Sequence, residues 1–217
     1  WASKKINKPV RWTATRSELF ISDHQARDHN SVSRLAIAND GKFIALEINS
    51  VANLGAYMVG SSGGVQVVQY ANLPGTVYKI PSICLNISAA FTNKTPTGVF
   101  RGPGYAETNL ILERLIDAAA LKHNFDRLEL RKKNFIDKGD MPFTDVLGGS
   151  IDSGDFSAIF DQLMTRIDLA GFEERKNESK KKGFLRGLGV ACFIKGTGGA
   201  PKENVEIRFT SGSRIDL

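Results

Sequence analysis

Between Tyr105 and Asn124 the apolar residues Leu112, Leu115, Ile116 and Ala119 recur at helical spacing, while Glu113, Arg114 and Asp117 fall on other faces. Alternation with a period of two governs stretches on both sides of this helix. A chain that changes period in this way is neither a pure sandwich nor a helical bundle. It predicts an α+β architecture, with mixed-sheet hairpins around a central helical pair.

Period-two alternation marks strands at Val10–Thr15 and Val32–Ala38. The turn residues Asn39-Asp40-Gly41-Lys42 join the second of these to Phe43–Asn49 as a hairpin. Ser17–His29 is polar and reads as a connector or short helix, Gly60–Gly64 as a loop, and Val65–Tyr70 is left unassigned. The long helix carries Glu107 in its first turn and Lys122 in its last, both favourable to its dipole, and Asn124 is suited to a left-handed stop. Asp126 with Glu129 three residues on predicts a capped second helix to about Asn134. Pro142 and Gly148-Gly149 mark a linker, Phe156–Ala170 a third helix, and Lys176–Lys182 is too polar for a core. Strands return at Gly187–Phe193 and Val205–Phe209, around a loop at Gly196–Pro201. The expected division is 1–138, 139–183 and 184–217.

Composition excludes several function classes. The net charge of +6 is concentrated in Lys4, Lys5, Lys8, Arg11 and the run 175–182, where it reads as solvated surface. Aromatic residues do not interleave with these charges, so nucleic acid is not an expected partner. Ile48–Tyr78 is uncharged, but polar residues, glycines and Pro74 interrupt it, and it cannot span a membrane as a helix. Cys84 and Cys192 lie far apart, which fits neither a disulfide framework nor a zinc site and points to a reducing, cytoplasmic setting. The chain starts without Met and stops within strand-like alternation, so an internal segment of a longer subunit is expected.

The stretch most suggestive of chemistry is Thr95-Pro96-Thr97-Gly98-Val99-Phe100-Arg101-Gly102-Pro103-Gly104, directly ahead of the long helix. Glycines let backbone approach a ligand closely, and the free amides of a helix N-terminus suit an oxyanion. Spacing alone equally allows glycines that merely turn the chain and an Arg101 that pairs at the surface. Gly102-Pro103-Gly104 lacks the third glycine of a dinucleotide fingerprint, and Gly60-Ser61-Ser62-Gly63-Gly64 lacks the lysine of a P-loop. His24 and His29 stand five residues apart, which places them on no common helix or strand face for a metal. Glu107 and Glu113 take surface or capping positions, so no acid–base set is assigned.

Several segments in order resemble the large, molybdopterin-binding subunits of the xanthine dehydrogenase, aldehyde oxidase and carbon monoxide dehydrogenase family of molybdenum hydroxylases. They are Pro9-Val10-Arg11-Trp12, Asp23-His24-Gln25-Ala26-Arg27-Asp28, Asn53-Leu54-Gly55-Ala56-Tyr57, Tyr78-Lys79-Ile80-Pro81, Phe100-Arg101-Gly102 and Leu130-Arg131-Lys132-Lys133-Asn134. The resemblance implies a molybdopterin cofactor, including its cytosine dinucleotide form, with iron–sulfur clusters and FAD on partner subunits or domains. It carries cofactor contacts onto the backbone of Phe100, Arg101 and Gly102, and substrate contacts onto Gln69 and Pro103. In purine-oxidising members an Arg stands where Gln69 falls and a stacking Phe where Pro103 falls, so xanthine is disfavoured. Carbon monoxide dehydrogenases carry a copper-binding Cys where this chain has Gly102, so carbon monoxide is disfavoured too. What remains is oxidation of an aldehyde or an aromatic N-heterocycle with water as oxygen source. The family's general base lies on another segment, and these residues alone are expected to be inactive. A cofactor-free structural or interaction module is the alternative.

Overall fold

A computed structural model describes residues 1–60, 62–72, 74–196, 204–210 and 214–216. The elements are, in chain order, α1 (Ala2–Ile6), α2 (Arg16–Ser22), β1 (His29–Ile37), β2 (Phe43–Gly55), α3 (Ser62–Val68) and β3 (Ser82–Phe91). They continue with α4 (Tyr105–His123), α5 (Arg127–Lys133), β4 (Phe143–Thr144), β5 (Ser150–Ile151), α6 (Phe156–Arg166), α7 (Phe172–Lys181), β6 (Arg208–Thr210) and β7 (Arg214–Asp216).

The central sheet has the order β1-β2-β3. β1 and β2 form the antiparallel hairpin expected from Asn39–Lys42, with Leu35 opposite Leu46. The β2–β3 pair is parallel, with Ile48 opposite Leu85. Parallel neighbours need a crossover rather than a tight turn, and residues 56–81, including α3, provide it. One face of β2 buries Leu46 and Ile48 in a core shared with Leu112, Ile116 and Ala120 of α4 and Leu130 of α5. Asn124 ends α4 in the left-handed conformation, and the Asp126 carboxylate accepts the amides of Leu128 and Glu129 to cap α5. The α+β expectation and both long-helix boundaries are what the structure has.

Several expectations are corrected. Val10–Thr15 runs outside any sheet, with Val10 and Trp12 exposed, because alternation makes a strand only where a neighbouring edge accepts its amides. Gly187–Phe193 likewise joins no ladder, although Val190, Cys192 and Ile194 still alternate onto the core. The Val205–Phe209 strand moves to Arg208–Thr210, and residues 197–201 of the Gly196–Pro201 loop lie outside the described residues. Periodicity had assigned nothing to β3, despite the alternation of Ile83, Leu85 and Ile87. The third helix closes at Arg166, short of Ala170. The Gly60–Gly64 loop gives way to α3 from Ser62.

Glu113 is no surface residue. Arg131, fully buried, places Nε 2.9 Å from the Glu113 carboxylate and a terminal nitrogen 2.8 Å from Asp117. The same guanidinium donates to the carbonyls of Arg127 and Glu113. The Tyr78 hydroxyl donates to Glu113 at 2.6 Å, so the cluster ties α4, α5 and the crossover together. Burial pushes the Tyr78 hydroxyl far above its ordinary value, with the Glu113 charge adding to the effect. Asn134 completes the frame: its side chain accepts the Phe43 amide and donates to the carbonyls of Gly41 and Leu130.

Removing one member of a buried ion pair strands the other, which costs about 3–5 kcal/mol. Glu113→Ala is therefore expected to lower unfolding stability by that amount, read from the midpoint of a urea transition. Burial also pushes the Cys192 thiol up to about 11. Iodoacetamide at pH 8 is expected to label exposed Cys84 while Cys192 reacts only above about pH 10, or at pH 8 once the protein is unfolded.

Candidate functional site

The loop from Val99 to Gly104 leads straight into α4, with Gly104 as its N-cap. Gly102 and Gly104 both have positive φ, 78° and 77°, which is why glycine stands at each. Among the described residues, the amide hydrogens of Phe100, Arg101, Gly102, Gly104 and Tyr105 meet no protein acceptor. The first helical bonds begin only with the amides of Ala106, to Gly102, and Thr108, to Gly104. Pro103 has no amide hydrogen and fixes φ between the two glycines.

The loop is held from a segment more than seventy residues away in sequence. Arg27, itself in the left-handed conformation, donates a guanidinium hydrogen to the Arg101 carbonyl at 2.5 Å. Its guanidinium carbon stands 5.2 Å from the centre of the Phe100 ring, and its Nε is 3.7 Å from the Glu107 carboxylate. Glu107 is buried, against the expectation of a surface or capping position. Among the described residues neither of its oxygens has a hydrogen-bond partner, and one of them faces Arg27 as an ion pair. One side chain thus fixes the loop's carbonyl, its aromatic ring and the first turn of the helix after it.

A second support lies under the start of the loop. Asn53, at the end of β2, donates to the Asp28 carboxylate at 2.7 Å and accepts from the Gly55 amide and the Thr92 hydroxyl. The Thr97 hydroxyl donates to the Asn53 carbonyl, and Lys94 pairs with Asp28 at 3.0 Å. Residues 25 and 97 form a parallel bridge, and Gly98 lies so close to His24 that an added Cβ would stand 2.7 Å from it. His24 is therefore a spacer beneath the loop, and no metal-holding cluster of His, Cys, Asp or Glu occurs among the described residues.

Of the residues singled out from sequence, Phe100, Arg101, Gly102 and Pro103 fall together on this loop. Gln69 lies on a 3-10 turn after α3, and its side chain lies outside the described residues. Sequence reading missed Arg27, Asp28 and Asn53 as supports, having treated residues 17–29 as a solvated connector. Their signal was present only in the Arg27-Asp28 and Asn53-Leu54-Gly55 matches, since no periodicity marks a residue whose partners lie on other segments.

A row of backbone donors that meet no acceptor among the described residues, backed by a buried polar scaffold, suits a cofactor-binding domain. More specifically, the chain belongs to the molybdopterin cofactor-binding domain family, whose model matches residues 1–135. It is 28% identical to the carbon monoxide dehydrogenase large chain of Hydrogenophaga pseudoflava over 95% of this chain and 26% of that one. It is 30% identical to the nicotine 6-hydroxylase large subunit of Paenarthrobacter nicotinovorans over 91% and 24%. Quinoline 2-oxidoreductase from Pseudomonas putida 86 superposes with a TM-score of 0.76 at 31% identity, covering 84% of this chain and 23% of that one. The chain spans about a quarter of the length of these relatives.

The Asp28 carboxyl is held below its ordinary value, first by the hydrogen bond from Asn53 and then by Lys94. A depressed folded-state value adds stability that is present above the unfolded value of about 3.9 and lost as pH falls through the folded one. Urea midpoints measured from pH 6 down to pH 2 are expected to fall below about pH 4 in the parent. Asp28→Asn is expected to flatten that decline.

Proposed function

We infer that this chain is the cofactor-facing part of a molybdenum hydroxylase large subunit that oxidises an aldehyde or an aromatic N-heterocycle with water as oxygen source. The observation that carries the reading is the set of unpaired amides at Phe100, Arg101 and Gly102. With Gly104 and Tyr105 these make five amides that meet no acceptor among the described residues, and such a row fits an oxygen-bearing group such as the molybdopterin cofactor. When bound, that group supplies the two-electron oxidation itself.

The chain's own residues then have separable tasks. Phe100, Arg101 and Gly102 hold the cofactor through main-chain hydrogen bonds, and Gly102 leaves room for close approach. Arg27 keeps those amides aligned by anchoring the Arg101 carbonyl, so they need no reordering when an oxygen arrives. Pro103 and Gln69 belong to the substrate side. Pro103 offers no aromatic face and Gln69 no charge, which supports a substrate other than xanthine. Gly102 in place of a metal-binding thiol supports a substrate other than carbon monoxide, whatever the name of one relative.

The division into 1–138, 139–183 and 184–217 is retained as part of this reading, supported by the family match ending at residue 135. Iron–sulfur and FAD-binding subunits are the electron-carrying partners. The subunit is assigned to the cytoplasm, consistent with two unpaired cysteines and with no helix among the described residues long and apolar enough to cross a membrane.

Metal and pterin analysis of the full-length protein is expected to give one molybdenum and one pterin per chain. Gly102→Ala forces a side chain into the left-handed region, at a cost of about 1–2 kcal/mol. It is expected to lower bound pterin several-fold while leaving the circular dichroism spectrum unchanged. A full-length protein purified with no molybdenum and no pterin would sink the reading in favour of a cofactor-free module.

A further inference from the structure

Beside the loop lies a cavity of about 380 Å³. Tyr105, Ala106 and Leu110 from the first turns of α4 form one wall, and Ala191 and Phe193 from the extended segment after α7 form the other. Arg101 and Gly102 close the end next to the loop. Lys195 stands at the same end, its Cε 3.8 Å from the position a Cβ on Gly102 would take.

Two cations border this apolar space without an ionic partner. Among the described residues neither Arg101 nor Lys195 forms an ion pair, and the Lys195 ammonium donates only to the carbonyl of its neighbour Gly196. The one carboxylate on the wall, Glu113, is already committed to Arg131 and Tyr78. The volume is near the lower end of ligand cavities, roughly 300–1,000 Å³, enough for one or two fused rings.

We propose that this cavity binds a planar aromatic acid, with its ring against Tyr105, Leu110 and Phe193 and its carboxylate toward Lys195. The proposal deepens the functional reading and rests on it, because only a cofactor at Phe100–Gly102 places the ring beside a reacting centre. Lys195 is then a specificity residue. A compact ammonium attracts an anion of any shape, whereas a neutral ring leaves both rim cations uncompensated and a cationic ring is repelled.

The test uses the full-length enzyme with benzoate and benzamide, which share a shape and differ in charge. Calorimetric titration is expected to show benzoate binding about tenfold more tightly, a difference of about 1.4 kcal/mol. Lys195→Gln is expected to shrink the preference for benzoate several-fold, with Arg101 still at the rim, and leave benzamide unchanged, while Lys195→Arg keeps the preference. Leu110→Trp, which fills the cavity, is expected to weaken both. Equal binding of the two probes to the parent, no detectable binding of either, a preference undiminished by Lys195→Gln, or indifference to Leu110→Trp would each overturn the proposal. Pterin content of the same preparations reads the cofactor assignment separately. A pterin-loaded enzyme without the preference overturns the pocket alone, and a pterin-free protein that keeps it overturns the cofactor reading alone.

Discussion

The buried guanidinium of Arg131 is the constraint around which the domain is arranged. A charge taken wholly out of water is tolerated only where partners surround it, and here Glu113, Asp117 and two main-chain carbonyls do so. Those partners sit on α4 and at the base of α5, while Tyr78 reaches the same carboxylate from the crossover. The two helices and the crossover can therefore meet in only one register. The first turn of α4 follows from that register, and with it the place where the donor loop must end.

Rigidity at the helix is not enough to define the loop. Its open side is set by Arg27 and by the Asn53 network, both supplied by segments that β1 and β2 bring alongside. This division of labour suits a domain that holds a cofactor: binding groups lie on a loop, and strands and helices that take no part in chemistry keep the loop still. Main-chain donors also carry no net charge. They stabilise an oxygen without the long-range field of a lysine or arginine, and their direction is fixed by neighbours rather than by a side-chain rotamer.

The cost of that design is visible in the buried Glu107, whose oxygens have, among the described residues, an ionic but no hydrogen-bonded partner. Its charge balances Arg27, which would otherwise sit in a left-handed conformation against an aromatic ring with nothing to anchor its Nε. The same economy appears at Gly55 and Gly98. There the strap from Thr92 to Gly98 passes so close to β2 and to His24 that an added Cβ would stand 2.4 Å and 2.7 Å from its nearest neighbour.

By itself the sequence determined what short-range physics decides. The β1–β2 hairpin followed from its turn residues, α4 from its period and left-handed stop, and α5 from the Asp126 cap. Tertiary structure alone decided which alternating stretches became strands: Val10–Thr15 and Gly187–Phe193 had the pattern but no neighbouring edge, whereas Ser82–Phe91 gained one by a crossover that no local signal announces. It also decided that Glu107 and Glu113 are buried and that Arg27, Asp28 and Asn53 brace the loop. Burial and pairing depend on groups brought together from distant parts of the chain, and a one-dimensional pattern holds no distances between them.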